Sequence, residues 1–206
     1  MPQIRWSIII WAPLLLATTV VAASAAEPAD PEWPCIQRKV PELTVGQMWS
    51  GPIPQGEAAD PDALARVVRQ IAQRRVTIEE AAAAAASFVE DAQGEDRARQ
   101  LGLLFEAVLE RINRERGAII GGIGRYARRQ AALAERVEQE QRELARLESP
   151  ADADGDAGRV ELLRETLAWD TRIFRERAQS LTYVCETPVL LERRAFDLAR
   201  ALAGLI

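Results

Sequence analysis

Apolar residues recur along the second half of the chain at alternating steps of three and four. From Leu101 the series runs Leu101, Phe105, Val108 and Ile112, then Ile119, Ile123 and Tyr126, then Leu133, Val137, Leu144 and Leu147. Such steps lay one apolar stripe along a helix and mark a coiled-coil seam. The phase slips by one near Gly117–Gly124. A second series, Val160, Leu163, Leu167, Phe174, Leu181, Val184, Leu191, Leu198, Leu202 and Leu205, keeps one register throughout. Asp170, Arg177, Pro188 and Ala195 fill its remaining seam positions. Pro188 predicts a kink, and the kept register predicts that the helix resumes in line. Between the two series, Ser149 to Gly158 has a turn composition rich in Asp, Ala and Gly. A short connection makes the two long helices antiparallel neighbours, each roughly 70–80 Å long. Shorter helices or a second subunit would cover the half nearer the chain ends. The tip, around residues 133–170, would project.

Two shorter helices precede the hairpin. Asp60 suits an N-cap and Pro61 a first helical position, with Leu64, Val67, Val68 and Ile71 on one face and an end near Arg75. Thr77-Ile78-Glu79-Glu80 has the capping-box pattern. It opens a second helix through the Ala81–Ala86 run to about Gly94. Residues 27–59 contain six prolines, which forbid a regular helix. Yet Trp33, Cys35, Ile36, Val40, Leu43, Val45, Met48 and Trp49 are too apolar for a disordered tail. This segment reads as an ordered strap over the helices. The expected fold is therefore all-α: a long antiparallel helical hairpin, coiled-coil-like, with two shorter helices and a Pro-rich N-terminal strap. The division is 1–25 signal peptide, 26–59 strap and 60–206 helical domain.

The signal assignment rests on Arg5, the apolar run Trp6–Ala22 and the small residues Ala23-Ser24-Ala25, with Ala26 as the new start. An uncleaved anchor is the alternative, but the run is short for a bilayer span. No later segment is apolar enough to cross a membrane, so no span is expected after cleavage. Export to the periplasm changes how the two cysteines are read. Cys35 and Cys185 would meet an oxidising compartment, and an even pair outside a C-x-x-C motif most simply forms one structural disulfide.

Charge and composition remove several functions. The full chain has 26 basic and 31 acidic residues, and losing Arg5 takes the formal net charge from −5 to −6. This argues against nucleic acid as a partner. Lys39 is the sole lysine, a bias that fits an arginine-rich, GC-rich coding style. Histidine is absent, which removes Ser-His-Asp and Cys-His nucleophile activation and the usual zinc ligand. No cofactor is expected.

The candidate sites are few. With a turn centred near residue 154, Gly117–Gly124 falls opposite Cys185–Pro188. A waist is expected there from Trp33, Cys35, Gly121, Gly122, Tyr126, Tyr183 and Pro188, with the strap filling space left by the glycines. Trp49, in the second distinctive strap stretch, is grouped with it as a possible binding residue. The waist is either a binding groove or hinge, or close packing of strap on helices, and close packing is preferred. Asp152, Asp154 and Asp156 begin like a calcium loop, but Ala157 and Leu163 break the pattern. Glu138, Glu140 and Glu143 lie three or four residues from Arg136, Arg142 and Arg146, as on a solvated face. Asp170 and Arg177, on the seam, are expected to pair with Gln130 or Arg129 and fix the hairpin register, the alternative being an anion or partner site.

Three functions follow. The first is a non-enzymatic periplasmic interaction or scaffold module, binding a protein partner or a second copy through the exposed seam. The second is a small all-α enzyme without histidine, relying on arginine and carboxylate electrostatics at Arg125, Arg128 and Arg129. The third is a periplasmic metal or stress sensor, for which only Met48 and the two cysteines offer soft ligands.

Overall fold

The computed structural model describes residue 30 and residues 33–149 and 157–206. The signal segment and the Asp152-Asp154-Asp156 turn lie outside these residues. Five helices follow in order: α1 (Val45–Met48), α2 (Pro61–Ile71), α3 (Ile78–Phe88), α4 (Gly94–Leu147) and α5 (Ala157–Ala203). The fold is all-α, with α4 packed along α5 as an antiparallel hairpin. The 54 residues of α4 and 47 of α5 make the hairpin about 70–80 Å long.

The short helices form where local chemistry starts them. Asp60 accepts a hydrogen bond from the Ala63 N–H at 2.9 Å, with Pro61 leading α2. Thr77 and Glu80 close a reciprocal capping box at 3.1 and 2.9 Å and begin α3. The α2 helix stops at Ile71, a turn short of the expected Arg75. The α4 helix begins at Gly94, well before the apolar series at Leu101, because its first turn is polar and gives no periodic signal. Gly94 itself has φ of 54°, a left-handed conformation that lets the chain turn from α3 into α4.

The α2–α3 pair lies on the base of the hairpin, α2 against α4 and α3 against α5. Ile71, Ala81, Ala85 and Val89 there meet Leu101, Leu104, Phe105, Leu191, Leu198 and Leu202 in one core. Three helix C-termini are held by arginines. Arg97 donates to the Leu205 and Val89 carbonyls at 2.8 and 3.0 Å, and Arg194 donates to the Ile71 carbonyl at 2.7 Å. Carbonyls at helix ends lack intrahelical partners, and these bonds serve them, the Val89 carbonyl accepting from the Ala92 N–H as well.

The strap is ordered as expected and runs along the base to the waist, but it is not free of helix: Val45–Met48, in a stretch without proline between Pro41 and Pro52, closes the single turn α1 where the proline count predicts no helix. The Asn113 side chain pairs with both backbone groups of Leu43, accepting from its N–H at 3.0 Å and donating to its carbonyl at 2.7 Å. Trp49 stacks on Phe105 with ring centroids 5.2 Å apart and donates to the Pro52 carbonyl at 2.8 Å. At Gly102 an added Cβ would stand 3.1 Å from Pro54 Cβ, so strap and α4 meet there at closest approach. Cys35 and Cys185 are bonded, with Cα atoms 5.6 Å apart.

Candidate functional site

The waist is the level at which the strap is stapled to α5, and Arg116 is its centre. The sequence pattern places Ile119 on the α4 seam. In the structure two successive steps of four carry the seam from Ile112 to Arg116 to Ile120, while Ile119 lies beside it, half-buried. Such a double step locally shifts the seam around the helix. Arg116 is therefore buried, with 1% of its surface exposed. Its Nε donates to the Pro188 carbonyl at 3.2 Å and one terminal nitrogen donates to the Val40 carbonyl at 3.0 Å. Glu192 Oε2 lies 3.6 Å from that same nitrogen. Burial pushes the guanidinium below its ordinary value, and Glu192 partly offsets the shift. Arg116 thus joins strap, α4 and α5 in one node, with Pro188 buried in the seam and α5 continuing through it.

Cys35, Cys185, Trp33 and Pro188 are brought together here as the sequence implied, Trp33 donating to the Gln37 carbonyl at 2.6 Å. The remaining space around Arg116 and Trp33 is about 10 Å³, a packed joint with no room for a ligand. Trp49 is elsewhere, in the core of the base. Gly117, Gly121 and Gly122 do not receive the strap. A Cβ on Gly117 would meet nothing, and on Gly121 or Gly122 only the Arg125 guanidinium, at 3.4 and 3.8 Å. Gly102 makes the close approach instead. Tyr183 is 75% exposed.

The other flank of the waist is open. Ile119, Ile123 and Tyr126 of α4 and Ser180, Leu181 and Val184 of α5 line an almost wholly apolar groove of about 230 Å³, with Gly122 opening its α4 wall. This groove continues the trough that α2–α3 fills at the base. Glu115, 3.9 Å from Arg74 in the turn after α2, lies one turn from Ile119 on the same flank. Arg194, which holds Ile71, lies on the α5 column that leads through Thr187 to Ser180.

Beyond the groove the arm is held by polar ties. Tyr126 donates to the Arg177 carbonyl at 2.8 Å and Gln130 to the Phe174 carbonyl at 2.7 Å. Arg136 meets the buried Asp170 at 2.6 Å, Arg159 meets Glu143 at 2.7 Å and Arg164 meets Glu148 at 2.6 Å. Register is therefore fixed by polar contacts, but through different partners than expected. Asp170 takes Arg136, Gln130 takes a backbone carbonyl, and Arg177 contributes its carbonyl while its side chain is exposed.

Arg125, Arg128 and Arg129 are exposed on α4. Among the described residues, no three His, Cys, Asp or Glu side chains are arranged to hold a metal ion. A wide, shallow depression of about 570 Å³ lies between strap residues 41–45 and α4, with Glu106 and Glu110 at its edge. Compared with protein-family models, curated proteins and solved structures, the chain matches none.

Proposed function

We propose that the protein is an exported, non-enzymatic interaction module of the periplasm, binding a protein partner through the open arm of its hairpin. The carrying observation is a set of large apolar side chains left in water beyond the base: Leu162 at 65% exposure, Trp169 at 61% and Tyr183 at 75%. Exposed aromatic and apolar groups clustered on one element favour a protein contact. The construction of the molecule supports the same reading. Its core, strap and disulfide all stiffen the base and waist, and the arm projects from them. The disulfide suits an oxidising compartment, and among the described residues no helix is long and apolar enough to cross a membrane.

The test is photo-crosslinking in living cells, with a crosslinking amino acid at position 169 or 183 and fractionation of the periplasm. Protein adducts at both positions are expected. Failure to form an adduct at either, with the chain exported and folded, would sink the proposal.

A further inference from the structure

The turn between α2 and α3 carries Arg74 and Arg75, and it meets α4 at Arg111 and Glu115. These four side chains line a pocket of about 380 Å³. Three guanidiniums against one carboxylate give it an excess of positive charge, in a chain whose formal net charge is −5. Several other surface arginines bind a carboxylate three or four residues away, as Arg99 does Asp96, Arg114 does Glu110 and Arg200 does Asp197. Here such pairing lapses. Arg74 reaches Glu115 only at 3.9 Å, and among the described residues Arg75 and Arg111 make no ion pair or hydrogen bond. Nor do they serve the end of α2, because the Ile71 carbonyl takes its bond from Arg194. Gathered guanidiniums repel one another, and an anion between them would remove that cost.

One turn along α4 from Glu115 the surface changes character. Ile119 opens the apolar groove that runs to Tyr126, with Leu181 and Val184 on the α5 side. Its two side-chain hydroxyls are already engaged. Tyr126 donates to the Arg177 carbonyl at 2.8 Å, and Ser180 donates to the Glu176 carbonyl at 3.0 Å. A peptide backbone laid there would give up water at each amide and gain no bond in return. A hydrocarbon chain gives up nothing and gains from leaving water.

We infer that the waist binds a single-chain amphiphile with a phosphate monoester head, the head between Arg74, Arg75 and Arg111 and the chain along the groove. A phosphate monoester carries about −1.5 to −2 charges at pH 7, which matches three guanidiniums less one carboxylate. Guanidiniums also bind phosphate oxygens in pairs. The groove, at about 230 Å³, is smaller than the ~300–1,000 Å³ of a drug-sized pocket, which suits one chain and not two. Glu115 to Tyr126 spans roughly 16 Å of helix, the reach of an extended chain of about a dozen carbons with bonds near 1.5 Å. The site is independent of the protein contact assigned to the arm.

The experiment is calorimetric titration of the mature, oxidised chain with dodecyl phosphate below its micelle concentration. Inorganic phosphate and dodecyl maltoside supply the head and the chain separately. One-to-one binding is expected, at least tenfold tighter than either of these and weakened by added salt. The Arg75→Gln, Arg111→Gln pair should weaken it at least tenfold, as should Gly122→Leu, which fills the groove from its α4 wall. Arg125→Gln, which removes the guanidinium lying over Gly121 and Gly122, should leave it unchanged. Absence of binding overturns the inference, as does equal affinity for inorganic phosphate or for the maltoside. Indifference to the arginine pair, or a loss that follows Arg125→Gln instead, overturns it too. Should Gly122→Leu lose helicity, Ser180→Leu closes the facing wall and decides the same point. Adducts at position 169 do not depend on this site, so either reading can fail alone.

Discussion

A guanidinium taken out of water must find acceptors in fixed positions, and Arg116 finds them on two other parts of the chain. Removing it would leave the Val40 and Pro188 carbonyls without these bonds and open a void at the joint. Arg116→Ala should cost about 2–4 kcal/mol, read by urea denaturation. Arg116→Lys should recover only part of this, since an ammonium lacks the planar fork that reaches two carbonyls. The residue was not legible in the sequence. Seams are found by their apolar members, and a charged residue at a seam position reads as a gap. Glu140 makes the converse point. Burial first, then the Asp170 carboxylate, raise it above the usual carboxylate range, while Arg136 works against them. Its Oε2 is buried without a hydrogen-bond partner. A raised folded-state value means that this group favours the fold as pH falls through that value and opposes it when ionised above. Glu140→Gln should therefore raise the melting temperature slightly at pH 7. The gain should vanish in melts at acid pH, where Glu140 is protonated.

At the scale of elements, one substitution should have opposite signs at two places on α4. Gly117→Ala meets open space and gains helix propensity, so it should stabilise by roughly 0.5–1 kcal/mol. Gly102→Ala presses a methyl group to 3.1 Å from Pro54, which must move the strap. It should give up that gain and destabilise by about 1 kcal/mol or more. Thermal melts of the two variants side by side check the contrast. The hairpin, both short helices and the Cys35–Cys185 bond were legible because period, capping residues and an even cysteine pair each have a local signature. The role of the glycines was not. Sequence shows that Gly117, Gly121, Gly122 and Gly124 lack side chains but not which way those positions face, and the strap's path settles that, through Asn113 and Gly102. Trp49 was misplaced for the same reason. A strap without periodicity gives no clue to which helix each residue meets, and Phe105 captures this one.

For the molecule as a whole, the disulfide closes a loop spanning a sequence separation of 150 residues. In the chain-entropy account a loop of that size stabilises by roughly 3–5 kcal/mol. The Cys35→Ser, Cys185→Ser double variant should lose that much in denaturant titration. The loss should be largest at the waist, where hydrogen exchange at residues 33–40 would rise while the α2–α3 base stays protected. The base keeps its own core, including Phe105, Leu104 and Leu198, whatever happens to the bond. Among the described residues the arm has no comparable core, and its cross-hairpin ion pairs are mostly exposed and individually weak.

The position of Cys185, within α5 rather than at its end, also sets how the molecule bears a pull. Tension applied between the strap's first residues and Ile206 passes through the covalent bond into α5 and out along Cys185–Ile206. The loop between the cysteines, which holds α2, α3 and all of α4, carries none of it. An oxidised molecule stretched from its ends can yield only by peeling that last stretch of α5 from the base, whereas a reduced one can unravel throughout. In mechanical terms the bond acts as a strain limiter, and the arm beyond it is shielded from whatever load the chain's ends are made to carry.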